Sequence, residues 1–133
     1  MAGFTPDEGE TLIAQVIHQR THVDRGSDLE LGLFTDAAPG ETITAATIAE
    51  PTGGGYARIV LTDASWNVTG AVASYAQQTF TVTGTDYSAD VVGYFIVSSG
   101  TAARLLYVEI DTNGPYDLNV DDTYKITPNI TIG

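Results

Sequence analysis

The chain contains no cysteine, which removes disulfides and thiolate metal sites from consideration and leaves packing, hydrogen bonding or assembly to supply stability. Basic residues are nearly as scarce. Arg20, Arg25, Arg58, Arg104 and Lys125 stand against 17 acidic residues, for a formal charge of −12. Phosphate backbones are held by clustered Lys and Arg whose binding releases counterions, and the sequence has no such cluster. Nucleic acid is therefore not the expected partner, nor is an anionic membrane surface. No apolar run approaches the ~20 residues that cross a bilayer. The opening Met1-Ala2-Gly3-Phe4-Thr5-Pro6 lacks the basic start and apolar core of a signal peptide, so synthesis in a cytoplasm without export is expected.

What remains is ordinary globular material: 133 residues, 43% of them apolar, enough for one domain with a core. The acidic excess suits solubility, or a basic patch on a protein partner.

Near the N-terminus, Thr5 as N-cap, Pro6 at the first helical position and Glu8 three residues on form a capping-box pattern. Asp7, Glu8 and Glu10 suit the positive end of the helix dipole. Leu12, Ile13, Val16 and Ile17 then recur on one face, which predicts a helix over about 6–20, slightly weakened by Gly9. A polar connector from Thr21 to Ser27 follows, so residues 1–25 read as a helix and connector arm and residues 26–133 as a β domain.

From Asp28 onward Thr and Val are plentiful and turn residues recur at short intervals. Strands are expected at Leu29–Phe34, Tyr56–Thr62, Thr79–Thr83, Val91–Val97, Arg104–Ile110 and Tyr124–Thr127. Pro128 places Ile130 and Ile132 on an edge strand or a separate arm. The fold class is mainly β, with two candidate architectures. One is a jelly-roll-like β-sandwich with a short N-terminal helix, the other a partly open barrel.

Candidate chemistry is thin. His18 and His22 are four apart, a spacing that sets two imidazoles on one helical face. Gln19, Arg20 and Thr21 lie between them, without the glutamate of the metalloprotease pattern. A solvated or packed helix end accounts for both. Gly53-Gly54-Gly55 is followed by neither the lysine nor the helix of a phosphate loop, and reads as a shaped turn with positive φ. Asp111-Thr112-Asn113-Gly114 starts like a calcium loop, but Pro115 and Tyr116 take positions that need an oxygen ligand and glycine. Asp121-Asp122 reads as an acidic turn before the last strand. No catalytic, cofactor-binding or metal residue is assigned. The apolar stripe Leu12, Ile13, Val16 and Ile17 is the candidate partner-binding surface.

Several short stretches are similar to small β-rich virion proteins of tailed bacteriophages. They are Leu31-Gly32-Leu33-Phe34-Thr35, Ala49-Glu50-Pro51 leading through the glycines to Tyr56-Ala57-Arg58, Trp66, Gly93-Tyr94-Phe95, and a closing strand that carries Pro128. The resemblance spans about residues 29–132 and brings no functional motif with it. It implies a non-enzymatic structural protein, foremost a capsid decoration (cement) protein. Such a protein would sit on the outer capsid surface, bind the major capsid protein there as a homotrimer and stabilise the shell. A tail or fibre component, either an adaptor or a small receptor-binding module, is the alternative. A lectin or carbohydrate-active enzyme would instead require a carboxylate pair facing aromatics.

Overall fold

A computed structural model describes residues 2–18, 26–99 and 102–131. In chain order the elements begin with β1 (Ala2–Phe4), α1 (Asp7–His18), β2 (Leu29–Phe34), β3 (Ile59–Leu61) and a 3-10 turn at Asp63–Ser65. They continue with β4 (Asn67–Thr69), β5 (Val72–Ser74), β6 (Gln78–Thr81), β7 (Gly93–Ser98), β8 (Leu105–Ile110), β9 (Thr123–Ile126) and β10 (Asn129–Thr131). A five-stranded sheet runs β1-β8-β7-β2-β3, a three-stranded one β10-β5-β4, and a pair β6-β9, with every pairing antiparallel. The fold is sandwich-like and the sheets do not close, so the barrel alternative is set aside.

Strand β7 explains why one stretch is almost wholly apolar. It lies in the middle of the large sheet and all six of its residues are buried. Tyr94 and Ile96 enter one core with Leu31, Leu33, Leu61, Phe80 and Val82. Phe95 and Val97 enter a second core with Phe34, Ile48 and Val108 on the other face. Alternation along β2 matches it, with Leu31 and Leu33 in the first core and Phe34 in the second. The β7–β8 register breaks between Ile96, paired with Tyr107, and Val97, paired with Leu105. That bulge leaves Leu106 unpaired in the ladder, and Leu105 and Val108 both serve the second core although three residues apart.

The expected strand at Leu29–Phe34 has those bounds, and the threonines flanking Phe80 and Val82 are exposed while those two are buried. The strand expected from Tyr56 is only Ile59–Leu61: Tyr56 N donates to Gly53 O, which closes the glycine turn at Tyr56, and the ladder starts at Ile59. Strands β1, β4 and β5 were not foreseen. All three are three residues long, and Asn67–Thr69 is exposed throughout, too short and polar to show a pattern. Pro128 does precede an edge strand, β10, while Ile132 lies outside the described residues.

Residues 2–18 are part of the large sheet's own architecture. Ala2, Gly3 and Phe4 pair with Ile110, Glu109 and Val108 on β8, and α1 packs against the same strand. The helix read in the N-terminal segment therefore packs on the β domain. Most of the connector, including His22 and Arg25, lies outside the described residues, as does Arg20.

Candidate functional site

The helix sits close to the sheet because Gly9 lets it. A Cβ at that position would collide with the backbone carbonyl of Leu105, so the residue that weakens the helical pattern is the one that permits the contact. Glu8 then fixes the helix in place. Its Oε1 accepts from Ala45 N at 2.7 Å and from Leu105 N at 2.6 Å, which ties α1 both to β8 and to the segment between β2 and β3. The capping-box reading assigned Glu8 to its own helix, whereas this oxygen serves backbone 37 and 97 residues away. Arg104 Nη1 adds a 2.7 Å bond to Gln15 Oε1.

This placement divides the predicted stripe. Leu12 is 3% exposed, Ile13 and Val16 are half-buried, and Ile17 is 65% exposed. All four line one apolar groove of about 530 Å³, whose other walls include Trp66, Val68, Leu106 and Ile130. Val68 on β4 is 69% exposed. Trp66 packs edge-on against Tyr75, with ring centroids 5.2 Å apart, and its buried Nε1–H has no hydrogen-bond partner. Asp63 is the one acidic residue among the described lining residues, and its backbone N–H donates to Asp28 Oδ1 at 2.8 Å.

The other sequence candidates resolve simply. His18 is exposed at the end of α1, and His22 lies outside the described residues. Among the described residues no three His, Asp or Glu side chains stand together as a metal set. Gly53, Gly54 and Gly55 have φ of 74°, 59° and 68°, a shaped turn as the sequence suggested. Gly54 N donates to Thr85 Oγ1 at 3.0 Å and its carbonyl accepts from Thr83 N at 2.8 Å. Asp122 Oδ2 accepts from Asn119 N, closing the acidic turn before β9.

Beside the glycine turn is a cluster the sequence reading passed over. Arg58 reaches Glu50 through two bonds, Nε to Oε1 at 3.0 Å and Nη2 to Oε2 at 2.9 Å, and lies 3.4 Å from Glu30 Oε1. Its guanidinium sits 5.3 Å from the centroid of the Phe95 ring. Tyr56 donates to Glu50 Oε1 at 2.6 Å and accepts from Leu33 N at 2.9 Å. Burial alone would raise the Glu50 carboxyl, but the bonds from Arg58 and Tyr56 and the charge of Arg58 outweigh it and hold it below the ordinary value. Burial, with the Glu50 bond behind it, pushes the Tyr56 hydroxyl well up. The signal available in sequence was a pair of opposite charges flanking a rigid turn, at Glu50 and Arg58.

A separate polar cavity of about 330 Å³ is walled by Glu109, Asp111, Asn113 and Lys125 with Tyr94 and Tyr124. Tyr124 donates to Asp111 Oδ2 at 2.9 Å, and Tyr107 to Glu109 Oε1 at 3.1 Å. Burial, then the Glu109 charge, pushes the Tyr107 hydroxyl up to about 12. The carboxylates that sequence left scattered thus come together with aromatics at the end of β8.

No family model, curated protein or solved structure matches this chain.

Proposed function

We propose that the chain is a non-enzymatic virion protein, a capsid decoration protein that clamps subunits of the major capsid protein from outside the shell. The observation that carries this reading is the apolar groove, which leaves Ile17 and Val68 in solvent on an otherwise acidic molecule. Exposed apolar surface of this kind marks an interaction site. Asp63 on its wall, on a chain of net charge −12, favours a partner segment that is apolar at its centre and basic at its flanks. Such a segment would come from the capsid protein.

Three shell subunits meet at each local three-fold position, so the reading includes a homotrimer on the shell. Several weak contacts made together then hold firmly at high effective concentration. A clamp that binds the assembled shell but not free subunits raises the shell's stability by mass action. The acidic charge favours the outer surface over the inner, where packaged DNA repels it.

The test adds purified protein to expanded heads that lack it and then heats them. Saturable binding with a higher disruption temperature is expected. Association with tails alone, at a few to dozens of copies per particle by gel densitometry, would replace this reading with a tail or fibre component.

A further inference from the structure

The polar cavity at the end of β8 shares no lining residue with the apolar groove. Within it, the Tyr94 hydroxyl lies 3.4 Å from both Asn129 N and Asn129 O and within hydrogen-bonding reach of the Glu109 carboxylate. The two Asn129 bonds are long, and a hydroxyl with one donor and two acceptor sites can exchange bonds of that length for those of a ligand. Asp111 closes the turn after β8, where Oδ1 accepts from Asn113 N at 2.9 Å, and Oδ2 accepts from Tyr124 at 2.9 Å. These bonds set the carboxylate and Asn113 on the cavity wall together. Among the described residues Lys125 makes no hydrogen bond or ion pair through its side chain, and it lines the same cavity.

We propose that this cavity binds a neutral polyhydroxylated ligand, a single sugar ring. Sugar hydroxyls both donate and accept, and the cavity offers both functions. Glu109 and Asp111 accept, the Lys125 ammonium donates, and Asn113 and the tyrosine hydroxyls do either. Each carboxylate oxygen takes more than one bond, so the internal bonds to Tyr107 and Tyr124 leave acceptor sites open. Ligand pockets begin at about 300 Å³, and a cavity of about 330 Å³ fits one ring and not an extended chain. Charge separates this class from its rivals. Calcium calls for six or more oxygen ligands and no neighbouring ammonium, whereas two carboxylates here share the space with Lys125. The carboxylates in turn repel phosphate. The inference is independent of the shell-docking reading, since no groove residue takes part.

Saturation-transfer NMR on the full chain tests it, with glucose, galactose and mannose as probes and calcium chloride titrated separately. At least one hexose should bind saturably, with Kd in the millimolar range, and Glu109→Gln or Asp111→Asn should weaken it by about tenfold, the effect of one charged hydrogen bond. Lys125→Ala tests the site without touching a folding contact and should weaken the same sugar, while Glu10→Gln on the exposed face of α1 should not. Absence of binding by all three hexoses overturns the proposal. So does sugar binding that survives every cavity variant, or calcium binding that depends on Glu109 and Asp111 with no sugar bound.

Discussion

Arg58 is held from three sides, by Glu50, by Glu30 and by the face of Phe95, and the arrangement makes Glu50 the residue on which two other side chains depend. Glu50→Ala leaves the Tyr56 hydroxyl and the guanidinium short of an acceptor, and should cost about 2 kcal/mol by urea denaturation at neutral pH. Because the folded-state carboxyl titrates below its ordinary value of 4.5, its ionised form contributes stability that is complete above that value. The contribution fades as pH falls through the lowered folded value. The gap between wild type and variant should therefore be widest above 4.5 and close on acidification. At Gly54 the constraint is steric. A side chain there needs left-handed backbone at φ 59° and runs into Tyr87, with Val82 only 2.9 Å away. Gly54→Ala should lose roughly 1–2 kcal/mol from the backbone alone, and more from the collision. Gly40 has open space around it, so Gly40→Ala should leave the melting temperature essentially unchanged.

At the scale of elements, Glu8 decides whether α1 belongs to the domain. Glu8→Ala removes the acceptor for two part-buried backbone N–H groups and should destabilise the whole fold by about 2 kcal/mol in chemical denaturation. Deleting residues 1–22 should go further and abolish cooperative unfolding, since β1 leaves the large sheet as well. A truncated chain that melts sharply near the wild-type temperature would show that the β domain folds without this segment. The helix itself was legible, through Pro6, the acidic first turn and the spaced apolar residues. Its role was not, because Leu105 and Ala45 are far away in sequence and nothing local announces the bonds to Glu8. Buried strands were legible as apolar runs, as β2 and β7 were, and the stretch around β6 by its alternation of Phe80 and Val82 with threonines. Three-residue strands such as β4 and β5 hold too few side chains for any period to appear, and pairing with neighbours alone defines them.

Across the whole molecule the stripe of four apolar residues was readable, but the groove was not, because its other wall comes from β4, β8 and β10. The groove also supplies variants that separate docking from folding. Ile17 and Val68 are 65% and 69% exposed, so Ile17→Gln and Val68→Thr keep helix and strand propensity and should move stability by less than about 0.5 kcal/mol. If both side chains become buried under a shell subunit, each is worth about 1.5 kcal/mol or more, and the double variant should bind expanded heads at least tenfold more weakly. Leu12→Ala is the contrasting control, since that side chain is already 3% exposed and its loss should lower the melting temperature first. Charge adds a second, separable signature. With a net −12 on the chain, attraction to basic flanks acts before contact, so raising salt should slow association while dissociation changes little. Unaltered binding by the double variant would remove the groove from the interface. Loss of binding at unchanged stability, with an association rate that falls as salt rises, would leave the groove as the contact and the acidic surface as its guide.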